Sequence, residues 1–250
     1  LSQLIRTAFV PASGCHYAVA DFSAIEARVI AWLSGESWRM EVFQTHGKIY
    51  EASAANMFGV PQDSIVKGNP NYALRAKGKI AELALGYGGS TGALISMGAL
   101  RMGLTEDELP EIVQRWRGSN RRICGFWRQV QSAAEEAVTY GVITALDKGV
   151  VFSRDPDYLI ITLPSGRSLY YNRPGVEKNE AGRDTLYFYG VDKKWTKIRT
   201  WGGKLVENIV QAVARDLLAN ALQNLHAAGY RICFHINDEV VMEIPDSDFG

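Results

Sequence analysis

Residues 235–243 read His235-Ile236-Asn237-Asp238-Glu239-Val240-Val241-Met242-Glu243. Apolar residues flank a short polar break, the pattern of two strands joined by a tight reversal. We expect strands over 230–236 and 239–244, with Ile236-Asn237-Asp238 near the turn. A matching acidic cluster lies near the other end of the chain. There a strand-like run over 17–22 leads into Asp21-Phe22-Ser23-Ala24-Ile25-Glu26-Ala27-Arg28. Acids inside apolar segments are costly unless their charge is compensated, and a divalent cation is the usual compensation. Carboxylates from two sequence-distant strands, Asp21 and Asp238 with Glu239 alongside, can hold two metal ions about 4 Å apart. That arrangement stabilises the attacking and leaving oxygens of an in-line displacement. The plainer alternative makes Asp21 a turn or cap acid and Asp238-Glu239 a solvated hairpin tip. The apolar flanks weigh against it.

Between these clusters a helix is expected over 72–85, ended by Gly86, Gly88 and Gly89. Arg75, Lys79, Leu83 and Tyr87 recur every fourth residue, and each such step turns only about 40° around a helix, so they form one slowly winding stripe. Two cations at one end suit phosphate oxygens, and an aromatic at the other suits a base or sugar. A solvated basic face with Leu83 and Tyr87 packed inward is the competing reading. Carboxylates for Mg²⁺ together with cations for a triphosphate point to phosphoryl transfer.

With 250 residues, 47% hydrophobic and 22% charged, the chain has ordinary globular composition and can bury a substantial core. No apolar run approaches the roughly 18 residues of a membrane span, and no signal peptide is evident. The chain begins Leu1-Ser2-Gln3 and stops at Asp248-Phe249-Gly250, and we expect a piece of something longer. Cys15, Cys124 and Cys233 are odd in number and lack metal-ligand spacing, which suggests reduced, packed thiols in an intracellular protein. The four histidines are scattered, so no structural zinc site is expected. Net charge is zero, yet residues 67–128 hold ten basic side chains against five acids. Neutrality conceals a basic middle.

Elsewhere, Ser23 is a plausible N-cap for a helix through Trp32, with Glu26 as capping-box partner. Further helices are expected over 47–58, 90–102, 106–116 (with Thr105 and Glu108 at capping-box spacing), 119–140 and 204–228. Strands are expected over 159–163, 168–171 and 186–189. The stretch from Arg115 to Arg128 interleaves five arginines with three aromatics and no acid. It reads as a template-strand surface or as core aromatics ringed by solvated arginines, with a mixture of the two favoured. The tyrosines at 170–189 read as sheet packing.

Three segments resemble, in order, the three polymerase motifs of family A DNA polymerases, with a phage or prophage flavour. They are Asp21 to Arg28, Arg75 to Gly88, and Ile236-Asn237-Asp238-Glu239-Val240. Gly47 to Gly59 and Asn208 to Asp216 also resemble intervening family segments. The resemblance implies an α+β fold, a palm with an antiparallel sheet and an inserted, mainly helical fingers subdomain. The palm would be 1–34 and 200–250, and the fingers 35–199 with a β-rich insertion at about 142–199. It further implies template-directed addition of dNTPs to a primer 3′-hydroxyl with two Mg²⁺ ions and release of pyrophosphate. The partners would be a DNA primer–template and a dNTP, with no membrane. The protein would be a cytoplasmic monomer of a bacterial or phage-infected cell, with a thumb and an exonuclease domain in the parent polypeptide.

On matching positions, the resemblance makes Asp21 and Asp238 the metal ligands, with Glu239 beside the primer terminus. Arg75 and Lys79 would grip the triphosphate, Lys79 also serving as proton donor to the pyrophosphate. Tyr87 would shape the nascent base-pair pocket, Leu83 would stand against the sugar of the dNTP, and Glu26 would lie under that sugar and help exclude ribonucleotides. Arg28, Gln211, Asn237, Gly88, Arg121 and Arg122 would face DNA. Three residues depart from the family pattern: Leu83 where Phe or Tyr is common, Asn237 where His is usual, and Tyr50 where His is frequent. Two other classes share some of these residues, a non-catalytic nucleic-acid-binding module and a metal-dependent nuclease or phosphatase. Loss of Asp21 or Asp238 would favour the first, and both are present; the second needs no triphosphate cradle on a helix.

Overall fold

A computed structural model describes residues 6–248; the ends of the expected palm, 1–5 and 249–250, lie outside the described residues. Strand β1 (Cys15–Asp21) is followed by helices α1 (Ile25–Ser34), α2 (Ser37–Thr45), α3 (Ile49–Phe58), α4 (Leu74–Leu85), α5 (Thr91–Ser96), α6 (Leu109–Ser119) and α7 (Arg121–Tyr140). Strands β2 (Thr144–Ala145), β3 (Val151–Asp155), β4 (Tyr158–Thr162), β5 (Ser168–Lys178), β6 (Asp184–Asp192) and β7 (Lys194–Thr200) come next. Helix α8 (Gly202–Ala227) then leads to β8 (Arg231–Ile236) and β9 (Glu239–Pro245). No described helix is long and apolar enough to cross a membrane.

Contacts divide the chain into two compact units, Leu1–Ile25 with Ala212–Gly250, and Glu26–Gln211. The first contains an antiparallel sheet of order β1-β9-β8. Alternation makes the sheet two-faced: Val240, Met242 and Ile244 point one way from β9 and pack with Ala18, Phe22 and Ile232. Leu218, Leu222 and Leu225, spaced along one stripe of α8, join the same cluster. Glu243, on the central strand β9, is buried and receives Arg231 at 2.5 Å and the Ala12 N–H at 2.7 Å.

The second unit contains α1–α7 and a six-stranded antiparallel sheet in sequential order β2 to β7. Helices α3 and α4 approach so closely that a Cβ on Gly78 would collide with the Tyr50 carbonyl and crowd Ala54. The expected capping box at Thr105 and Glu108 forms, opening a 3₁₀ turn that runs into α6. Tyr171 is buried edge-on against Phe188, as sheet packing requires.

Several local expectations need correction. Helix α1 starts at Ile25, two residues after the expected Ser23 cap, because Ala24 takes a left-handed φ of 53°. The helix over 90–102 ends at Ser96, since Gly98 turns the chain at φ 93° before a 3₁₀ turn at Leu100–Met102. Helix α2 was not anticipated: only Arg39 and Val42 of its residues are buried, so no apolar stripe announces it. Strands β2, β3 and β7 also escaped notice. In β7 the sequence Lys194-Trp-Thr-Lys-Ile-Arg-Thr200 presents charges where apolar alternation would be sought.

Candidate active site

The β8–β9 hairpin sets the acidic cluster. Ile236 pairs with Glu239, leaving Asn237 and Asp238 as a two-residue turn. Asn237 takes φ 51°, a left-handed conformation that Asn adopts more readily than most residues because its short amide bonds locally. Asp21 ends β1, its Cα paired with that of Glu239, and the Phe22 N–H donates to the Asp238 carbonyl at 3.4 Å. Sheet register therefore brings Asp21, Asp238 and Glu239 to one end of the sheet. Asp21 is exposed and the other two are half-buried. No ion pair with a described residue occupies any of the three carboxylates.

Among the described residues, no group of three His, Cys, Asp or Glu is placed to hold a metal ion. Mg²⁺ takes hard oxygen donors and is usually bound by one or two carboxylates, with waters and substrate phosphates completing the shell. Two open Asp carboxylates at a sheet end fit that requirement.

The cationic stripe belongs to the second unit. Arg75 is drawn to Glu51, Nε to Oε1 at 2.8 Å, and that hydrogen bond raises its pKa further above an already high value. Arg75 and Lys79 both lie over the Tyr50 ring, at 5.5 and 6.0 Å from its centroid. Burial, followed by the Glu82 charge, raises the Tyr50 phenol pKa, so the ring stays neutral beneath the two cations. Lys79 is exposed, and Leu83 is 49% exposed despite being aliphatic. The stripe ends there. Tyr87 lies beyond the last residue of α4, Leu85, rather than on the helix. Its phenol donates to Glu26 Oε2 at 2.5 Å, and burial, then the Glu26 charge, hold it protonated far above the ordinary range.

The remaining expected DNA-facing residues divide by environment. Arg28 is half-buried with its guanidinium 4.5 Å above the Phe43 ring. Gln211 and Asn237 are exposed, and Gly88 takes φ 80°. Arg121 and Arg122 project from the first turn of α7, whose N–H groups at 122 and 123 donate to the buried Glu36 carboxylate.

The Arg115–Arg128 stretch is only partly a surface. Trp116 and Phe126 are buried, and Trp127 stacks parallel to Trp116 at 6.2 Å and donates its indole N–H to the Gly86 carbonyl. Arg115 donates to the Met57 carbonyl in the last turn of α3 and Arg117 to the Gly89 carbonyl in a loop, so two of the five arginines brace neighbouring backbone. Arg121, Arg122 and Arg128 remain exposed.

Sequence reasoning missed one buried centre. Glu82, with a side chain 4% exposed, receives Arg39 on both oxygens at 2.5 Å, Ser53 at 2.7 Å and the Trp116 indole N–H at 2.9 Å. Arg39 also donates to Asn120 at 2.6 Å. The signal was present: Glu82 interrupts an otherwise apolar face of α4 made by Ile80, Ala81, Ala84 and Leu85.

Comparison with known proteins bears on this arrangement. The DNA polymerase family A model matches residues 1–249. The chain is 56% identical over 248 residues to a DNA polymerase of Bacillus phage SP02, covering 98% of this chain and 38% of that protein. It is 25% identical over 250 residues to the thermostable DNA polymerase I of Thermus aquaticus, covering 98% of this chain and 24% of that protein. The chain thus spans well under half the length of these relatives. Among solved structures, the fold resembles the POL domain of Pol1 from M. smegmatis in complex with DNA primer-template and dNTP. That match has a TM-score of 0.65 and 22% identity, covering 98% of this chain and 36% of the other. With its acidic sheet end, its cationic helix face and a family match running over almost every residue, the chain belongs to DNA polymerase family A.

Proposed function

We propose that the chain carries the nucleotidyl-transfer centre of a template-directed DNA polymerase. The observation that supports this most is the register of β1 against β9, which brings Asp21 to the strand end where Asp238 and Glu239 emerge. The family match over residues 1–249 supports it as well. In this reading the palm comprises 1–34 and 200–250 and the fingers 35–199, with the β2–β7 sheet as an insertion. The protein acts as a cytoplasmic monomer whose thumb and exonuclease domains lie in a longer polypeptide.

The reaction joins the primer 3′-oxygen to the α-phosphorus of a dNTP and breaks the bond from that phosphorus to the bridging oxygen of pyrophosphate. Asp21 and Asp238 would hold two Mg²⁺ ions, which when bound activate the 3′-oxygen and neutralise phosphate charge. Glu239 helps align the primer terminus. Arg75 and Lys79 bind the triphosphate, and the Lys79 ammonium gives its proton to the departing pyrophosphate. Tyr87 lines the nascent base pair, Leu83 stands against the sugar of the dNTP, and Glu26, held by the Tyr87 phenol, lies under that sugar. Arg28, Gln211, Asn237, Gly88, Arg121 and Arg122 contact primer or template. Most of the work is electrostatics and positioning.

The test is primer extension by the full-length protein with Mg²⁺ and dNTPs, beside Asp238→Asn. We expect extension to fall by at least about a hundredfold in the variant, the scale for losing a principal electrostatic group, with primer–template affinity retained. A well-folded protein that binds primer–template but never extends it would make this chain a binding module instead.

A further inference from the structure

The first turn of α3 sets Tyr50 and Glu51 side by side against the start of α4. No role assigned above uses Glu51. Its side chain, 14% exposed, takes the Arg75 Nε–H on one carboxylate oxygen at 2.8 Å. Arginine and carboxylate often meet fork to fork, through two parallel hydrogen bonds. Here the contact is single. Among the described residues no other hydrogen bond holds Arg75, so its two terminal nitrogens keep their donors open. The Tyr50 ring supports the guanidinium, with 5.5 Å between the guanidinium carbon and the ring centroid.

Arg75 is the second residue of α4, where a cation meets the positive end of the helix dipole. A carboxylate alongside offsets that cost. Glu51 is itself well placed for a negative charge, in the first turn of its own helix. The seat formed by Tyr50 and Glu51 is also rigid. A Cβ on Gly78 would collide with the Tyr50 carbonyl, so α3 and α4 touch along bare backbone. Further along α3, Ser53 donates to the buried Glu82 of α4 at 2.7 Å. Tyr50 and Glu51 are therefore fixed with respect to the helix whose arginine they hold.

A guanidinium carries its five N–H donors in one rigid plane, so fixing Nε fixes the direction of the terminal pair. We propose that Glu51 is a positioning residue, holding Arg75 by Nε so that both terminal nitrogens stand ready for two oxygens of the triphosphate. Glu51 touches no substrate; it acts through Arg75, with the Tyr50 ring as the floor of the seat. Such preorganisation reduces the side-chain freedom that Arg75 would otherwise lose on binding. The proposal deepens the polymerase reading and rests on it. The same carboxylate could instead compete with the triphosphate for Arg75, and that role has the opposite effect on affinity.

The experiment measures equilibrium dNTP binding by the full-length protein on a primer–template whose primer ends in a dideoxynucleotide, so that no bond forms. Wild type is compared with Glu51→Ala, Glu51→Gln, Arg75→Ala and the Arg75→Ala/Glu51→Ala double variant. Single-turnover rates at saturating dNTP on an extendable primer accompany each. If an untethered Arg75 presents its terminal pair about a tenth of the time, apparent affinity falls about tenfold. We expect that loss in Glu51→Ala, with the saturated rate little changed. Glu51→Gln should restore most of the affinity, because an amide oxygen still accepts from Nε. Beside Arg75→Ala, removing Glu51 should cost nothing further. Tighter dNTP binding in Glu51→Gln would make Glu51 a competing counter-ion and overturn the proposal, a result readable even if Glu51→Ala does not fold. Equal losses in the Ala and Gln variants, no loss in Glu51→Ala, or a full loss persisting beside Arg75→Ala would overturn it too. A wild type that holds primer–template yet binds no dNTP would overturn the polymerase reading itself, whereas the comparisons among variants test Glu51 alone.

Discussion

The Tyr87 phenol has two environments to satisfy: burial disfavours its anion, and the adjacent Glu26 carboxylate disfavours it again. Tyr87→Phe removes a hydrogen bond whose acceptor is exposed, so the expected loss at pH 8 is about 1 kcal/mol. The pH dependence carries more information. The pKa is raised in the folded state, so the contribution is complete below the unfolded phenol's value of about 10. As pH rises past that value the unfolded chain sheds the proton while the folded chain keeps it, and wild type loses stability that the Phe variant never had. Urea midpoints of the two proteins should therefore converge above about pH 10; a constant gap would show that the phenol is not proton-locked. Lys79 is the opposite case, an exposed cation held by little except the Tyr50 face. Lys79→Ala should leave urea midpoints unchanged yet slow single-turnover incorporation by about a hundredfold, the scale of a lost general acid. Unchanged incorporation would remove it from the reaction.

At the scale of elements, the helix that carries Arg75 and Lys79 is fixed from its other face by Glu82. The Arg39–Glu82 pair is sealed from water, so removing one partner strands the other's charge. Glu82→Ala should destabilise the second unit by roughly 3–5 kcal/mol. Arg39→Met with Glu82→Leu should recover much of that, because the pair vanishes together and leaves apolar filling. Urea unfolding of both single variants and the double variant measures the coupling; additive losses would mean that the pair is no unit. This centre also shows where the sequence stopped being readable. The strand bearing Asp21, the hairpin turn bearing Asp238 and the helix bearing Lys79 were legible, because apolar periodicity and a two-residue reversal are local signals. In sequence Glu82 reads as one more acid on a basic helix, since its partners Arg39, Ser53 and Trp116 are scattered along the chain. Helix α2 was missed for a related reason: its buried face consists of Arg39 and Val42, and a buried arginine looks polar until its carboxylate is known.

For the whole molecule, composition alone misleads. A chain of zero net charge gives no electrostatic reason to meet DNA, yet its ten central cations face only five acids. How many of those cations face outward could not be read from the sequence, because backbone carbonyls claim Arg115 and Arg117, and Glu51 claims Arg75. Arg121 and Arg122 differ, standing exposed at the start of α7 while Glu36 satisfies the backbone beneath them. Each phosphate contact contributes about 0.9 to the slope of log affinity against log salt on duplex DNA. Replacing both residues by alanine should therefore lower that slope by nearly ~2 and weaken binding to every sequence alike. Titrations of wild type and Arg121→Ala/Arg122→Ala across a salt series measure it directly. An unchanged slope would mean that these two arginines are merely solvated, and that phosphate contact in this molecule falls to Arg28, Arg128 and the cations of α4.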